Sequence, residues 1–289
     1  MSRRVRLLVA YDGRRFHGFA PNHHVRTVHD TLTAAVETVV REPVRLAGAG
    51  RTDAGVHAWG QVVSGDLPDG VDLDGLVRRL NKLCAPDIAV RAADWVDDDF
   101  HARFSARWRQ YRYDVWNATT PNPLMLGRAW WVAHPLDVEA MRAGVAPLLG
   151  EHDFSSFCRR VRVTDDQPER TRVRRVIAAT WTELEARTVA PGLTEAAADS
   201  DRDGGSVGDL YGDGRRLRFE IRANAFCHQM VRSIVGTLVD VGLGRLGAAE
   251  VPVILAARSR DAAGRVAPPG GLVLWQVSYQ EPTAGHPAS

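Results

Sequence analysis

Alternation of apolar and polar residues opens the chain: Val5, Leu7 and Val9 fall on one side of an extended segment, the period-2 pattern of a half-buried strand. Asp12-Gly13 then reads as a turn. Thr27, followed three residues on by Asp30, marks a helix start of the capping-box kind, and Val28, Leu32, Ala35, Val36 and Val39 recur behind it at helical spacing. Pro43 stops that helix. Residues 44–49 and 59–65 read as strands on either side of a glycine-bounded turn, 73–83 as a helix and 88–95 as a further strand.

The order then repeats. Tyr111, Tyr113 and Val115 share one face of a strand, and Val138, Met141, Val145 and Leu148 predict an amphipathic helix. Residues 173–184 and 217–223 are extended, 226–241 form a helix with Val231, Ile234, Val235 and Leu238 on one side, and 272–279 close the chain as a strand. Strand, helix, strand, strand, helix, strand therefore occurs twice, the split β-α-β arrangement of ferredoxin-like folds. The expectation is an α+β protein of two βαββαβ halves, with antiparallel sheets joined around a central cleft. One domain spans 1–105 and the other 106–289. From about 190 to 214, glycine, aspartate, alanine and serine are frequent and apolar periodicity is lost, which predicts a flexible loop dispensable for chemistry.

Composition adds limits. The 289 residues are 45% hydrophobic, enough to build a large core in one or two domains. After Arg3 and Arg4 only residues 7–10 form a purely apolar run, too short for a signal sequence or a membrane span, so a cytoplasmic location and no membrane partner are expected. Cys84, Cys158 and Cys227 are odd in number, far apart and without C-x-x-C spacing; neither a disulfide framework nor a cysteine zinc site is expected.

A net charge of +2 does not by itself argue for nucleic acid, but the arginines are bunched. Clusters stand at Arg107, Arg109 and Arg112, at Arg159, Arg160 and Arg162, at Arg170, Arg172, Arg174 and Arg175, and at Arg215, Arg216 and Arg218, with Trp108, Tyr111 and Tyr113 interleaved in the first. Guanidinium groups that clamp phosphates, next to rings that accept unstacked bases, suit RNA. Lys82 is the sole lysine, so arginine is also simply the default cation of this chain, and clustering alone leaves an ordinary charged surface open.

The segment 48–58 concentrates the candidate chemistry. Gly48, Gly50 and Gly55 bound a turn that holds Asp53, with Arg51 two residues before it and able to keep the carboxylate ionised. A solvated aspartate in an Asx turn is the plain alternative. Other motifs fail on context. Residues 242–247 satisfy G-x-G-x-x-G but follow a helix, where Gly242 reads as a left-handed cap, and no phosphate-binding G-x-x-x-x-G-K-[ST] occurs, so no nucleotide cofactor is expected. His23, His24 and His57 have no ligand spacing with Asp53, which argues against a metal, and Asp53-Ala54-Gly55 lacks the second loop an aspartic protease needs.

Taken together, Ala10-Tyr11-Asp12-Gly13 with Phe16 and Gly18, residues 49–58 with Gly60-Gln61-Val62, residues 99–106, Tyr111-Arg112-Tyr113, residues 153–157, Ala223-Asn224-Ala225-Phe226 with His228, Met230-Val231-Arg232 and Ile234-Val235-Gly236, and residues 269–274 resemble the TruA family of tRNA pseudouridine synthases over nearly the full length. Phe19-Ala20-Pro21-Asn22 departs from the family's Trp-Gln segment, and the 191–214 stretch is longer than typical. The resemblance implies the pseudouridine synthase fold and a cofactor-free isomerase that converts uridine to pseudouridine at positions 38, 39 and 40 of the tRNA anticodon stem-loop. It implies Asp53 as nucleophile, toward C6 of the base or C1′ of the ribose or through a glycal, with Arg232 as the partner of the carboxylate. Tyr111 would stack on the target base and move the C5 proton, Arg51 would fill space or contact phosphate vacated by an extruded uridine, and His57 would be structural. A homodimer would spread one tRNA over two subunits. A catalytically silent RNA-binding or RNA-chaperone protein would account for the arginines but not for Asp53, Arg51, Tyr111 and Arg232 together. An Asp53 hydrolase would account for the acid but not for the arginines.

Overall fold

The computed structural model describes residues 2–159, 171–184 and 214–281. In chain order the first half is β1 (Ser2–Tyr11), α1 (Val28–Val40), β2 (Leu46–Gly48), β3 (His57–Pro68), α2 (Leu73–Cys84) and β4 (Ile88–Trp95). The second is β5 (Trp108–Asn117), β6 (Trp130–Val132), α3 (Val138–Ala143), β7 (Gly150–Asp153), β8 (Val173–Leu184), β9 (Arg215–Ala223), α4 (Met230–Gly242), α5 (Glu250–Ala257) and β10 (Leu272–Ser278). Among the described residues these strands make one sheet, in the order β4-β1-β3-β10-β5-β9-β8-β7, with β2 added beside β3 and β6 beside β5. All pairings are antiparallel except β3 with β10 and β5 with β6. The α+β architecture expected from the repeated element order is therefore present as a continuous surface. The last strand joins it: Val273 and Leu274 stand opposite His57 and Ala58 at the start of β3.

Local chemistry explains most of the helix ends. The Thr27 hydroxyl accepts from the Asp30 amide and donates to its carboxylate, which starts α1, and Asp72 caps α2 through the Asp74 amide. The helix expected through Leu148 stops at Ala143. Pro147 has no amide hydrogen and its ring would collide with the carbonyl four residues back, so Val145 to Leu149 continue as a short tight turn instead. Helix α4 begins at Met230 rather than at 226, because Gln229 adopts φ +66°, outside helical geometry. At its other end Gly242 lies within the helix against Met141 and Leu136, and Gly244, with φ +67°, takes the left-handed position expected of Gly242. The β6, β7 and α5 elements were not expected; the two strands are only three and four residues long, too short for a period to show.

Side chains from both halves share one buried cluster that includes Leu7, Val63, Leu32 and Leu80 from the first half and Tyr113, Phe219, Met141 and Ile234 from the second. Every residue of α4 except Arg232 is buried. The one residue of this helix that is not buried, Arg232, points to the site described next.

The predicted loop at about 190–214 lies, except for Gly214, outside the described residues, as do Arg160, Arg162 and Arg170. Among the described residues no helix is long and apolar enough to cross a membrane.

Candidate active site

Asp53 sits in the connection between β2 and β3, and the surrounding chain holds that connection from several directions. The Gln61 side chain, fully buried on β3, accepts from the Gly50 amide at 3.3 Å and donates to the Gly50 carbonyl at 2.8 Å. Tyr11 and Thr52 share a hydroxyl hydrogen bond of 2.8 Å, and the Thr52 carbonyl accepts from the Phe19 amide. Gly55 takes φ +79°, the left-handed geometry that closes the turn, whereas Gly48 is required by packing: a Cβ there would run into the Phe19 ring. A buried glutamine that satisfies a loop's backbone groups is costly to lose, because the groups left behind have no water to replace it.

The carboxylate faces two side chains from the far half of the chain, a guanidinium and an imidazole. Arg232 Nη1 is 2.9 Å from Asp53 Oδ2, and His228 Nε2 is 3.0 Å from Oδ1. Arg232 is further fixed by donating Nε to the Ala267 carbonyl at 2.7 Å, while the Ala267 amide donates to the Arg232 carbonyl. Burial pushes the Asp53 carboxyl up, but hydrogen bonds from His228 and Arg232 and their charge outweigh it. The net displacement is downward, so the group is ionised at neutral pH.

Tyr111 projects from the middle of the sheet, opposite Leu274 of β10 and Ile221 of β9, and meets the Phe226 ring edge-on at a centroid distance of 4.9 Å. A Cβ on Gly50 would stand 3.8 Å from its hydroxyl, which places the phenol beside the Asp53 loop. Burial pushes the phenol up to about 12, Arg109 acting against the rise and Asp53 adding to it. Asp53, Tyr111 and Arg232 thus converge. Arg51 does not join them: it is exposed and pairs with no carboxylate among the described residues, so the expectation that it ionises Asp53 gives way to Arg232 and His228. A residue two positions away in a turn is no nearer than one the fold delivers.

His228 is the residue that sequence reading missed. The helix expected from 226 placed it inside α4; the chain instead brings it to Asp53 in a turn immediately ahead of the helix. That segment is tied down by a second unexpected feature, a disulfide between Cys158 and Cys227, with Cα atoms 5.7 Å apart. Spacing argues against a disulfide framework, and a single bridge forms all the same: the cysteines are 69 positions apart in sequence, and the Arg159 amide donating to the His228 carbonyl brings their segments together. His57 accepts from the Gly13 amide at Nδ1 and reaches the Gly127 carbonyl from Nε2 at 2.8 Å, which occupies both ring nitrogens in bridging loops. Tyr113 is fully buried and donates to the Pro268 carbonyl.

The interleaved arginines of β5 and β9 turn out to be structural. Arg112 pairs with Glu220 and lies over Trp275 at 3.7 Å, Arg216 and Arg218 share Asp114, and Arg222 covers the buried Trp108. Strand alternation puts them opposite Tyr111 on the sheet, where Glu220 and Asp114 hold Arg112, Arg216 and Arg218 and the Trp108 ring and Gln110 hold Arg222. Arg109 is a strut: it donates to the carbonyls of Ala49, Arg103 and Asn224. By contrast Arg51, Arg103 and Arg159 are exposed, make no ion pair among the described residues, and stand on segments adjoining Asp53, Ala49 and His228. Two surface cavities, of about 300 and 690 Å³, lie elsewhere, beside Asp240 and beside Trp95. Among the described residues no three His, Cys, Asp or Glu side chains gather as metal ligands would.

The family model described as tRNA pseudouridine synthase matches residues 7–105 and 145–280. Curated relatives named tRNA pseudouridine synthase A include one from Acetivibrio thermocellus, 36% identical over 277 residues covering 96% of this chain and 100% of the relative, and one from Bacillus subtilis, 36% identical over 278 residues covering 96% and 99%. Another, from Paramagnetospirillum magneticum, is 39% identical over 277 residues, 96% of this chain and 95% of its own. Fold and matches together define an isomerase acting on tRNA. The chain belongs to the tRNA pseudouridine synthase family.

Proposed function

We propose that this protein isomerises uridine to pseudouridine at positions 38, 39 and 40 of the tRNA anticodon stem-loop, with Asp53 as the nucleophile. The observation that supports it most is the ion pair between Asp53 and Arg232, which keeps a half-buried carboxylate charged and aimed. The reaction breaks the N1–C1′ bond, turns the base and joins C5 to C1′, with loss of the C5 proton and gain of one at N1. It has no net redox change, and one anionic nucleophile is sufficient. The carboxylate adds to the substrate and leaves again as the new bond forms.

Tyr111 braces the base. A phenol kept protonated by burial is a ring face and a hydrogen-bond donor at neutral pH, not a free base. Arg51, exposed and free of carboxylate partners among the described residues, is suited to a phosphate or to the space left by the extruded uridine. Arg103 and Arg159 extend the same positive edge. We place the protein in the cytoplasm, where its tRNA substrate is, as a homodimer in which residues 1–105 and 106–289 act as two domains.

The decisive experiment incubates unmodified tRNA transcripts with the protein and maps pseudouridine. Product in the anticodon arm is expected, together with its loss in Asp53→Asn while tRNA binding persists. An unmodified anticodon arm with wild-type protein would overturn the proposal.

A further inference from the structure

Two groups that touch the Asp53 site, Phe226 and His228, flank one half of the disulfide. Cys227 lies between them, only partly buried, and its partner Cys158 is buried at the end of the segment that follows β7. Phe226 meets the ring of Tyr111, and His228 is 3.0 Å from the Asp53 carboxylate. The stretch from Asn224 to Gln229 lies between β9 and α4 and belongs to neither a helix nor a strand. Besides the disulfide, it is tied down by non-covalent contacts alone: Asn224 exchanges bonds with the Arg175 backbone and its carbonyl is held by Arg109, the Cys227 and Gln229 carbonyls accept from the Met230 and Ser233 amides at the start of α4, the His228 carbonyl accepts from the Arg159 amide, and the His228 ring meets Asp53. The bridge is the covalent constraint among these on where two site-lining rings stand.

We propose that Cys158–Cys227 is a reversible thiol–disulfide modification site that fixes Phe226 and His228 against Tyr111 and Asp53, so that turnover follows the thiol poise around the protein. Disulfides are uncommon where thiol pools are reducing, and those found there are usually redox-sensing or catalytic rather than structural. Access fits this role, since Cys227 is the partly buried residue of the pair and Cys158 the buried one, so attack comes at Cys227. In reduction a thiolate attacks Cys227 Sγ and releases Cys158 as a thiolate; a second thiol of the reductant then resolves the mixed disulfide. Two electrons and two protons enter the protein, and the dithiol reductant leaves as a disulfide. A low-molecular-weight disulfide of the glutathione class reverses the step and is itself cleaved to two thiols. With the bridge open, Asp53 keeps Arg232, which is anchored separately at Ala267, but His228 and Phe226 lose their covalent tether and are held by non-covalent contacts alone.

The inference rests on the proposed role of Asp53, so its test needs one readout that requires no turnover. Full-length protein is equilibrated in dithiol or in glutathione disulfide and alkylated after denaturation. The reduced chain should take three labels and the oxidised chain one, at Cys84. Amide hydrogen exchange over residues 224–229 should then be slower in the oxidised form, rise on reduction and fall again on reoxidation. The kcat for pseudouridine formation should drop by about tenfold on reduction, the size of effect expected from a misplaced site group, with tRNA binding little changed. Cys158→Ser/Cys227→Ser should behave as the reduced form in both buffers. Equal exchange in the two thiol states, or three free thiols in excess glutathione disulfide, would overturn the clamp. No product in either state, with the exchange difference intact, would sink the Asp53 reading and leave the clamp standing.

Discussion

Arg232 Nη1 lies 2.9 Å from Asp53 Oδ2 although 179 residues separate them. The pair makes the site depend on the docking of α4 against the β2–β3 connection. Its consequence for pH has a definite sign. The folded Asp53 carboxyl is held below its ordinary value of 3.8, so the pair's contribution to stability is complete above that value and is lost as pH falls through the lower, folded one. Wild-type activity should therefore show no loss from Asp53 protonation between pH 5 and 8. Arg232→Gln removes a cation from a partly buried acid, and should move the acid limb of the pH–rate profile toward neutrality and lower kcat by about a hundredfold. An unmoved acid limb would exclude Arg232 as the group that keeps Asp53 ionised.

Arg109 should be a positioning residue. Its guanidinium donates to Ala49 at the entrance of the Asp53 loop, to Arg103, and to Asn224 at the entrance of the His228 segment. A lysine ammonium is a point charge and cannot match three carbonyls held by one planar fork. Arg109→Lys is expected to cost about 2 kcal/mol of stability and to reduce kcat more than it raises KM. Calorimetry and steady-state kinetics check both; an unchanged kcat would leave Arg109 a purely structural strut.

Arg51, Arg103 and Arg159 should act on the tRNA backbone rather than on the reaction. Each alanine variant is expected to raise KM with kcat nearly constant, and to reduce the slope of log affinity against log salt by about one. Salt titrations of tRNA binding measure this. Arg218→Ala on the opposite face, where its guanidinium is bound to Asp114, is the comparison variant, and its binding slope should match wild type.

Gly55→Ala should destabilise the protein by about 1–2 kcal/mol, because alanine is strained at φ +79° and its Cβ would press on Pro269, 3.0 Å away. Gly50→Ala meets nothing closer than the Tyr111 hydroxyl at 3.8 Å. It should fold normally, and any loss of activity there would report on substrate space beside Tyr111. Thermal melts of the two variants distinguish the cases.

Much of this protein is written locally. The alternation of Val5, Leu7 and Val9, the Thr27–Asp30 box and the apolar stripe of α4 each follow from backbone periodicity, and so the repeated βαββαβ order could be read without coordinates. Asp53 could be singled out as well, since a charged residue among turn-forming glycines has a local signature. What sequence could not assign were the partners. Arg51 is near Asp53 along the chain and the obvious cation, yet Arg232 and His228 hold the carboxylate, because β10 joins β3 and swings the second half over the first. The pairing of Cys158 with Cys227, the fate of the β9 arginines and the late start of α4 are decided in the same way. Contacts between residues distant along the chain cost loop entropy that only the finished core repays, so they leave no mark on local pattern.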